Sequence, residues 1–119
     1  ACLVGSEMCI RDRSYQYMTE PVINSDEQLN RIAQTAVTKL YGKESLITPA
    51  PLMGSEDFSW FGKDGIPYIY GFVASHNKDW GYMYGNHHEK YDVDETILHR
   101  GAAVAAQFAA DYLAETAQQ

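Results

Sequence analysis

The run Pro67-Tyr68-Ile69-Tyr70-Gly71-Phe72-Val73 carries bulky side chains on both of its alternating faces. Successive side chains of a strand point to opposite sides, so a strand of this composition has no face to give to water. It needs cover above and below, which is the pattern of a layered α/β core with helices on both sides of a sheet. The chain has 119 residues, about one small domain, and a domain of that size can bury roughly two thirds of the surface its unfolded form exposes.

The helices that would give this cover are legible on either side. Ser25-Asp26-Glu27-Gln28 reads as a capping box, with Ser25 accepting from the amide of Gln28 and the Gln28 side chain reaching back. Leu29, Ile32, Ala33, Ala36, Val37, Leu40 and Tyr41 then form one apolar stripe of helical period, and Gly42 stands where a helix ends in a left-handed residue. Toward the other end, Asp94 can cap a last helix that sets Ile97, Gly101, Val104, Ala105, Phe108, Ala109 and Tyr112 on one face. Its small residues permit a close approach to a sheet. Between the two lie a short β-prone run over 45–48, an extended approach through Pro49-Ala50-Pro51, a short helix over 56–61 capped by Ser55, and a turn at Gly62-Lys63-Asp64-Gly65. Tyr15-Gln16-Tyr17 alternates like the tail of a further strand, stopped by Pro21. Three or four helices and two or three short strands are few for a self-sufficient α/β domain.

The first thirteen residues stand apart. Gly5-Ser6-Glu7-Met8-Cys9-Ile10-Arg11-Asp12-Arg13 resembles the translated read-through of a sequencing adapter, so residues 1–13 are set aside as a scar. They carry two acids and two bases, and the formal charge of −7 is unchanged without them. They also carry both cysteines, which therefore say nothing about redox compartment. An acidic chain with scattered rather than clustered Lys and Arg is not expected to bind nucleic acid, and no run approaches the roughly 18 apolar residues of a membrane span. With the natural start out of view a targeting segment cannot be judged; a cytoplasmic setting is the default expectation.

Two segments hold the residue types that do chemistry. Gly85-Asn86-His87-His88-Glu89-Lys90-Tyr91-Asp92-Val93-Asp94-Glu95 places two of the four histidines in a turn that opens the last helix, and reads as one jaw of a metal site. A metal needs roughly four ligands, and this loop supplies one or two. Neighbouring side chains of an extended segment diverge, so only one of His87 and His88 faces a common ion. Asp92 or Glu89 can orient the ligand ring by accepting its second N–H; both also suit a solvated helix entrance. The second segment is Met53-Gly54-Ser55-Glu56-Asp57-Phe58. Glu56 and Asp57 are candidates for proton transfer or for acids that stabilise a helix start, while Gly54 and the first-turn amides can hold a substrate carboxylate or carbonyl oxygen. His76 lies in a glycine-punctuated loop, and His99 falls inside the last helix.

In order and spacing, these two segments, with a strand between them and an alanine-rich helix after, resemble the carboxyl-terminal part of the M20 metallopeptidase and amidohydrolase family. The likeness covers residues 14–119 and is strongest to its hippurate hydrolases, auxin-conjugate hydrolases and N-acyl-amino-acid amidohydrolases. The resemblance implies an incomplete zinc-peptidase-like three-layer α/β catalytic domain from residue 21 onward, with 14–20 as the end of the last strand of a lid domain that in the parent forms a homodimer contact. It implies two divalent ions, zinc or manganese, and a water activated by them that attacks an amide carbonyl. The family's last metal-binding histidine stands four residues before an aromatic, which matches His87 with Tyr91. Gly54, Ser55, Glu56 and Asp57 map to the loop beside the substrate, and Asp92 stays a carboxylate that can orient the ligand ring. The family's proline is replaced here by Glu89, which makes the loop less rigid. The other ligands and the general-base glutamate belong to a portion ahead of this chain, so no catalytic residue is assigned within it and the chain alone is expected to be inactive. The implied activity is hydrolysis of small-molecule N-acyl amino acids; a carboxypeptidase or dipeptidase of the same family, or a small non-enzymatic module that binds a ligand through its tyrosine-rich loop, are the rival readings.

Overall fold

The architecture was taken from a computed structural model, which describes residues 20–52, 54–81 and 84–117; the expected scar, and the expected lid strand but for its last residue, Glu20, lie outside these. The first helix, α1, runs Glu27–Tyr41. Its cap is Asp26 rather than Ser25: the Asp26 carboxylate accepts the Leu29 N–H at 2.8 Å, while the Ser25 N–H is turned back to the Ile23 carbonyl. A carboxylate brings full negative charge to the helix's positive end, where a hydroxyl brings only a dipole. Gln28 is thereby released from the expected box and donates to Glu115 at 3.2 Å. At the other end Gly42 adopts φ 82° and ψ 161°, a conformation that only glycine holds without strain, and gives its N–H to Thr38.

A second helix, α2, spans Ser59–Lys63 and a third, α3, spans Leu98–Thr116 after a 3₁₀ turn at Glu95–Ile97. Helix α2 starts three residues later than the sequence suggests. The carbonyls of Glu56 and Asp57 first close a turn by accepting from Ser59 and Trp60, so Ser55 caps nothing, and the buried Ser59 hydroxyl accepts the Glu20 N–H at 3.1 Å.

The core lies where α1 meets α3. Leu29, Ile32 and Ala36, the centre of the predicted stripe, are 7%, 2% and 0% exposed. The helices run antiparallel, as the cross-links along them show: Arg31 forks onto Glu115, with Nη1 at 3.2 Å from Oε2 and Nη2 against Oε1; Lys39 meets Asp111 at 2.7 Å; and the Arg100 guanidinium lies over the Tyr41 ring. Lys39 holds the Asp111 carboxyl below the usual carboxylate range, with Gln107 adding a second donor. Hydrogen bonding from Arg31 does the same for Glu115. These charges sit at the rim and their pairing adds little beyond fixing the helix register.

The expected sheet is not assembled among the described residues, none of which forms a strand. Residues 45–48 begin in a 3₁₀ turn at Lys43–Ser45. Residues 67–73 follow an irregular path instead of a ladder: a strand exists only by pairing, and among the described residues the pairing of their backbone is with a side chain. The Asn24 carboxamide accepts the Tyr70 N–H at 2.8 Å and donates to the Tyr70 carbonyl at 2.7 Å. One expected layer contact is present: a Cβ on Gly101 would stand 3.2 Å from Val73 Cγ2, so α3 crosses this segment where its own backbone is barest. Phe58 gathers Phe61, Tyr68 and Tyr70 at ring distances of 5.0, 5.6 and 5.5 Å. Between this cluster and the helices opens an apolar hollow of about 530 Å³, lined by Leu29, Phe58, Phe61, Ile66, Phe108 and Tyr112 among others.

Two outcomes follow. Ile32→Ala removes a buried side chain at the α1–α3 contact and is expected to cost about 2–5 kcal/mol, read as a lost or much lowered thermal transition in circular dichroism, whereas Thr35→Ala on the exposed side leaves the transition in place. Because the Asp111 and Glu115 pKa values are lowered by folding, their contribution is fully present above the ordinary carboxylate range and is lost as pH falls through the folded values. Helix pairing is therefore expected to weaken on acidification, and to do so less steeply in the Glu115→Gln, Asp111→Asn double variant.

Candidate functional site

The histidine segment folds as two consecutive tight turns. The His88 N–H reaches the Gly85 carbonyl at 3.3 Å and the Tyr91 N–H reaches the His88 carbonyl at 2.9 Å. As the third residue of the first turn, just before the junction, His87 has φ 69°, the one non-glycine residue in the left-handed region among the described residues. Such a conformation costs an L-residue roughly 1–2 kcal/mol, and strain of this kind gathers at functional positions. The His87 ring is exposed and makes no hydrogen bond or ion pair among the described residues. His88 is the opposite case. Its Nδ1 accepts the Lys90 N–H at 3.0 Å, and its ring stacks on Tyr84 with centroids 4.2 Å apart and planes 13° from parallel.

The other sequence candidates are placed as follows. Asp92 turns its carboxylate onto the Val93 N–H at 2.8 Å, and neither it nor Glu89 is bonded to the His87 ring. Gly54, Ser55, Glu56 and Asp57 are all exposed, and among the described residues no hydrogen bond or ion pair joins them to residues 87–92. His99 lies on an exposed face of α3. A metal fits this chain only in part. No three His, Cys, Asp or Glu side chains converge among the described residues, so His87 is a single donor toward a site that takes about four.

One feature that sequence reasoning passed over organises the region. Asp94 is 7% exposed and caps the turn into α3 by accepting the Thr96 N–H at 2.9 Å and its hydroxyl at 2.5 Å. Its second oxygen accepts from Asn77 Nδ2 at 2.7 Å, and its own N–H meets the Ser75 carbonyl at 3.4 Å. The loop that carries His76 is thereby tied to the end of the histidine segment. Hydrogen bonds from Thr96, then Asn77, hold the Asp94 carboxyl below its ordinary range. The available signal was Asn77-Lys78-Asp79, in which the Asn77 side-chain oxygen accepts the Asp79 N–H at 3.1 Å, an Asx turn that aims the amide nitrogen away toward Asp94.

Comparison with known proteins places these turns in context. Residues 10–111 match the profile of Peptidase family M20/M25/M40, a stretch that begins within the segment read as a scar. The chain is similar to IAA-amino acid hydrolase ILR1-like 2 of Arabidopsis thaliana, 34% identical over 83% of this chain and 22% of the relative. It is similar to IAA-amino acid hydrolase ILR1-like 4 of the same plant, 35% identical over 80% of this chain and 21% of the relative. Thermostable carboxypeptidase 2 of Saccharolobus solfataricus is 37% identical over 55% of this chain and 16% of its own length. The chain thus spans about a fifth of the length of the curated plant relatives it matches. No solved structure matches. No helix among the described residues is long and apolar enough to cross a membrane.

If Asp94 works as the joint between loop and helix, Asp94→Ala and Asn77→Ala are expected to be strongly non-additive. Each alone should lower stability by about 1–2 kcal/mol through the lost cap or the orphaned carboxylate oxygen, and the double variant by less than their sum. Chemical denaturation of the four proteins measures this; simple additivity would refute the joint.

Proposed function

The chain belongs to peptidase family M20/M25/M40, and on that premise we propose that it is the carboxyl-terminal part of the three-layer α/β catalytic domain of a metal-dependent amidohydrolase. The parent hydrolyses the amide bond of small N-acyl amino acids, and dimerises through a lid domain that precedes this part. His87 contributes one ligand, and the remaining ligands and the general base come from the preceding part of the parent. A pair of zinc or manganese ions, when bound, supplies an activated water and polarises the carbonyl.

On this reading the chain's own residues take the following parts. The double turn leaves the His87 imidazole exposed, with no competing hydrogen bond among the described residues to break before ligation. Asp94 holds the His76 loop at the base of that turn. Gly54 and the exposed backbone beside Ser55, Glu56 and Asp57 form a polar rim suited to the substrate carboxylate or carbonyl oxygen. Asp92, engaged with its own backbone, frames the turn rather than the ring. The observation that carries the reading is the left-handed His87 in the first of the two turns, within the matched stretch and in a chain similar to two IAA-amino acid hydrolases. Similarity to a carboxypeptidase over residues of this same chain supports a second reading, in which the parent removes carboxyl-terminal residues from peptides.

The test is an assay of the parent, obtained by extending the reading frame upstream, on N-acyl amino acids and on dipeptides with zinc or manganese present. The expected result is hydrolysis of the N-acyl amino acids and a loss on His87→Ala greater than the 10–100-fold cost of disturbing a ligand's outer partner. Cleavage confined to dipeptides selects the carboxypeptidase reading. Full activity in His87→Ala rejects the ligand assignment, and the 119-residue chain by itself is expected to be inactive.

A further inference from the structure

A left-handed residue that is not glycine persists only where its surroundings over-determine it, and among the described residues the contacts that close the turns on either side of His87 converge on His88. Four interactions converge on that one residue. Its N–H closes the first turn onto Gly85 and its carbonyl opens the second to Tyr91. Its Nδ1 accepts the Lys90 N–H two positions on, the same closure that an Asn or Asp side chain makes in an Asx turn. Its ring face lies on Tyr84, the residue that enters the first turn. Lys90 is held from both sides, since its ammonium stands 5.9 Å over the same tyrosine.

We infer that His88 is the positioning residue for His87: it locks the double turn through its side chain, and so supplies the rigidity that a proline at position 89 would otherwise give. The inference rests on the reading of His87 as a metal ligand for its purpose, though not for its geometry. The backbone contacts of His88 survive any substitution, so the lock is the pair of side-chain contacts, and these separate chemically. His88→Asn keeps an oxygen that can accept the Lys90 N–H and gives up most of the stack. His88→Ala removes both.

The measurement is made on the 119-residue chain by NMR. A residue with positive φ has a short amide-to-α-proton distance, so in the wild type His87 should show a strong intraresidue cross-peak. In His88→Ala this peak is expected to weaken on the order of fourfold, as φ returns to the negative region, while the signals of Asp94 and of the α1–α3 contact stay unchanged as a control on folding. In His88→Asn the peak is expected to stay strong. A strong peak surviving in His88→Ala, a weak peak in His88→Asn, or a weak peak in the wild type would each overturn the inference. In the parent the metal concentration for half-activity should rise about 10–100-fold in His88→Ala and stay within about twofold in His88→Asn; equal values overturn a role in metal binding. Failure of the ligand reading shows itself separately, as an active His87→Ala parent, and leaves the cross-peaks as they are.

Discussion

The contact between α1 and α3 carries the rest of the molecule, because it is where the described chain excludes water completely. Ile32 and Ala36 meet α3 across a line that the ion pairs at its rim hold in register. The histidine segment enters α3, the Asp94 joint sits at that entrance, and the aromatic cluster faces the same two helices across the apolar hollow. A small buried seam therefore sets the orientation of the segment that leads into α3. Around it the surface is unusually apolar: Ile47, Leu52 and Phe72 are 73%, 68% and 68% exposed, although a compact domain covers most side chains of this kind. This imbalance accords with a part that packs against more of its own parent.

Helical structure was readable from the sequence because it is local. The stripe from Leu29 to Tyr41 and the closing glycine needed no information from elsewhere, and the structure reproduces both. Caps were less legible: Ser25 and Asp26 are both good caps, and the choice between them turned on charge at the helix end. The α/β layering depends on pairing between distant segments. Residues 67–73 have the composition of a covered strand, yet composition cannot provide a neighbour, and among the described residues only an asparagine side chain answers.

The site divides in the same way. The alternation of side chains separated His87 from His88 without choosing between them, and the choice of His87 rested on the resemblance; the backbone there is a left-handed turn and not the extended run that alternation assumes. Asp94 was recognised as a helix cap and not as a joint, because its second partner, Asn77, is seventeen residues away. Whether Gly54, Ser55, Glu56 and Asp57 meet the histidine turn is a question of assembly, and no hydrogen bond or ion pair among the described residues draws them together.

The asparagine that meets Tyr70 has a further consequence. A run of aromatic and β-branched residues with free backbone groups is a template on which other chains can pair and aggregate. At Tyr70 the Asn24 carboxamide has taken both the donor and the acceptor that such a pairing would use. One side chain thus occupies the midpoint of this apolar stretch and leaves a neighbouring strand no ladder to continue there.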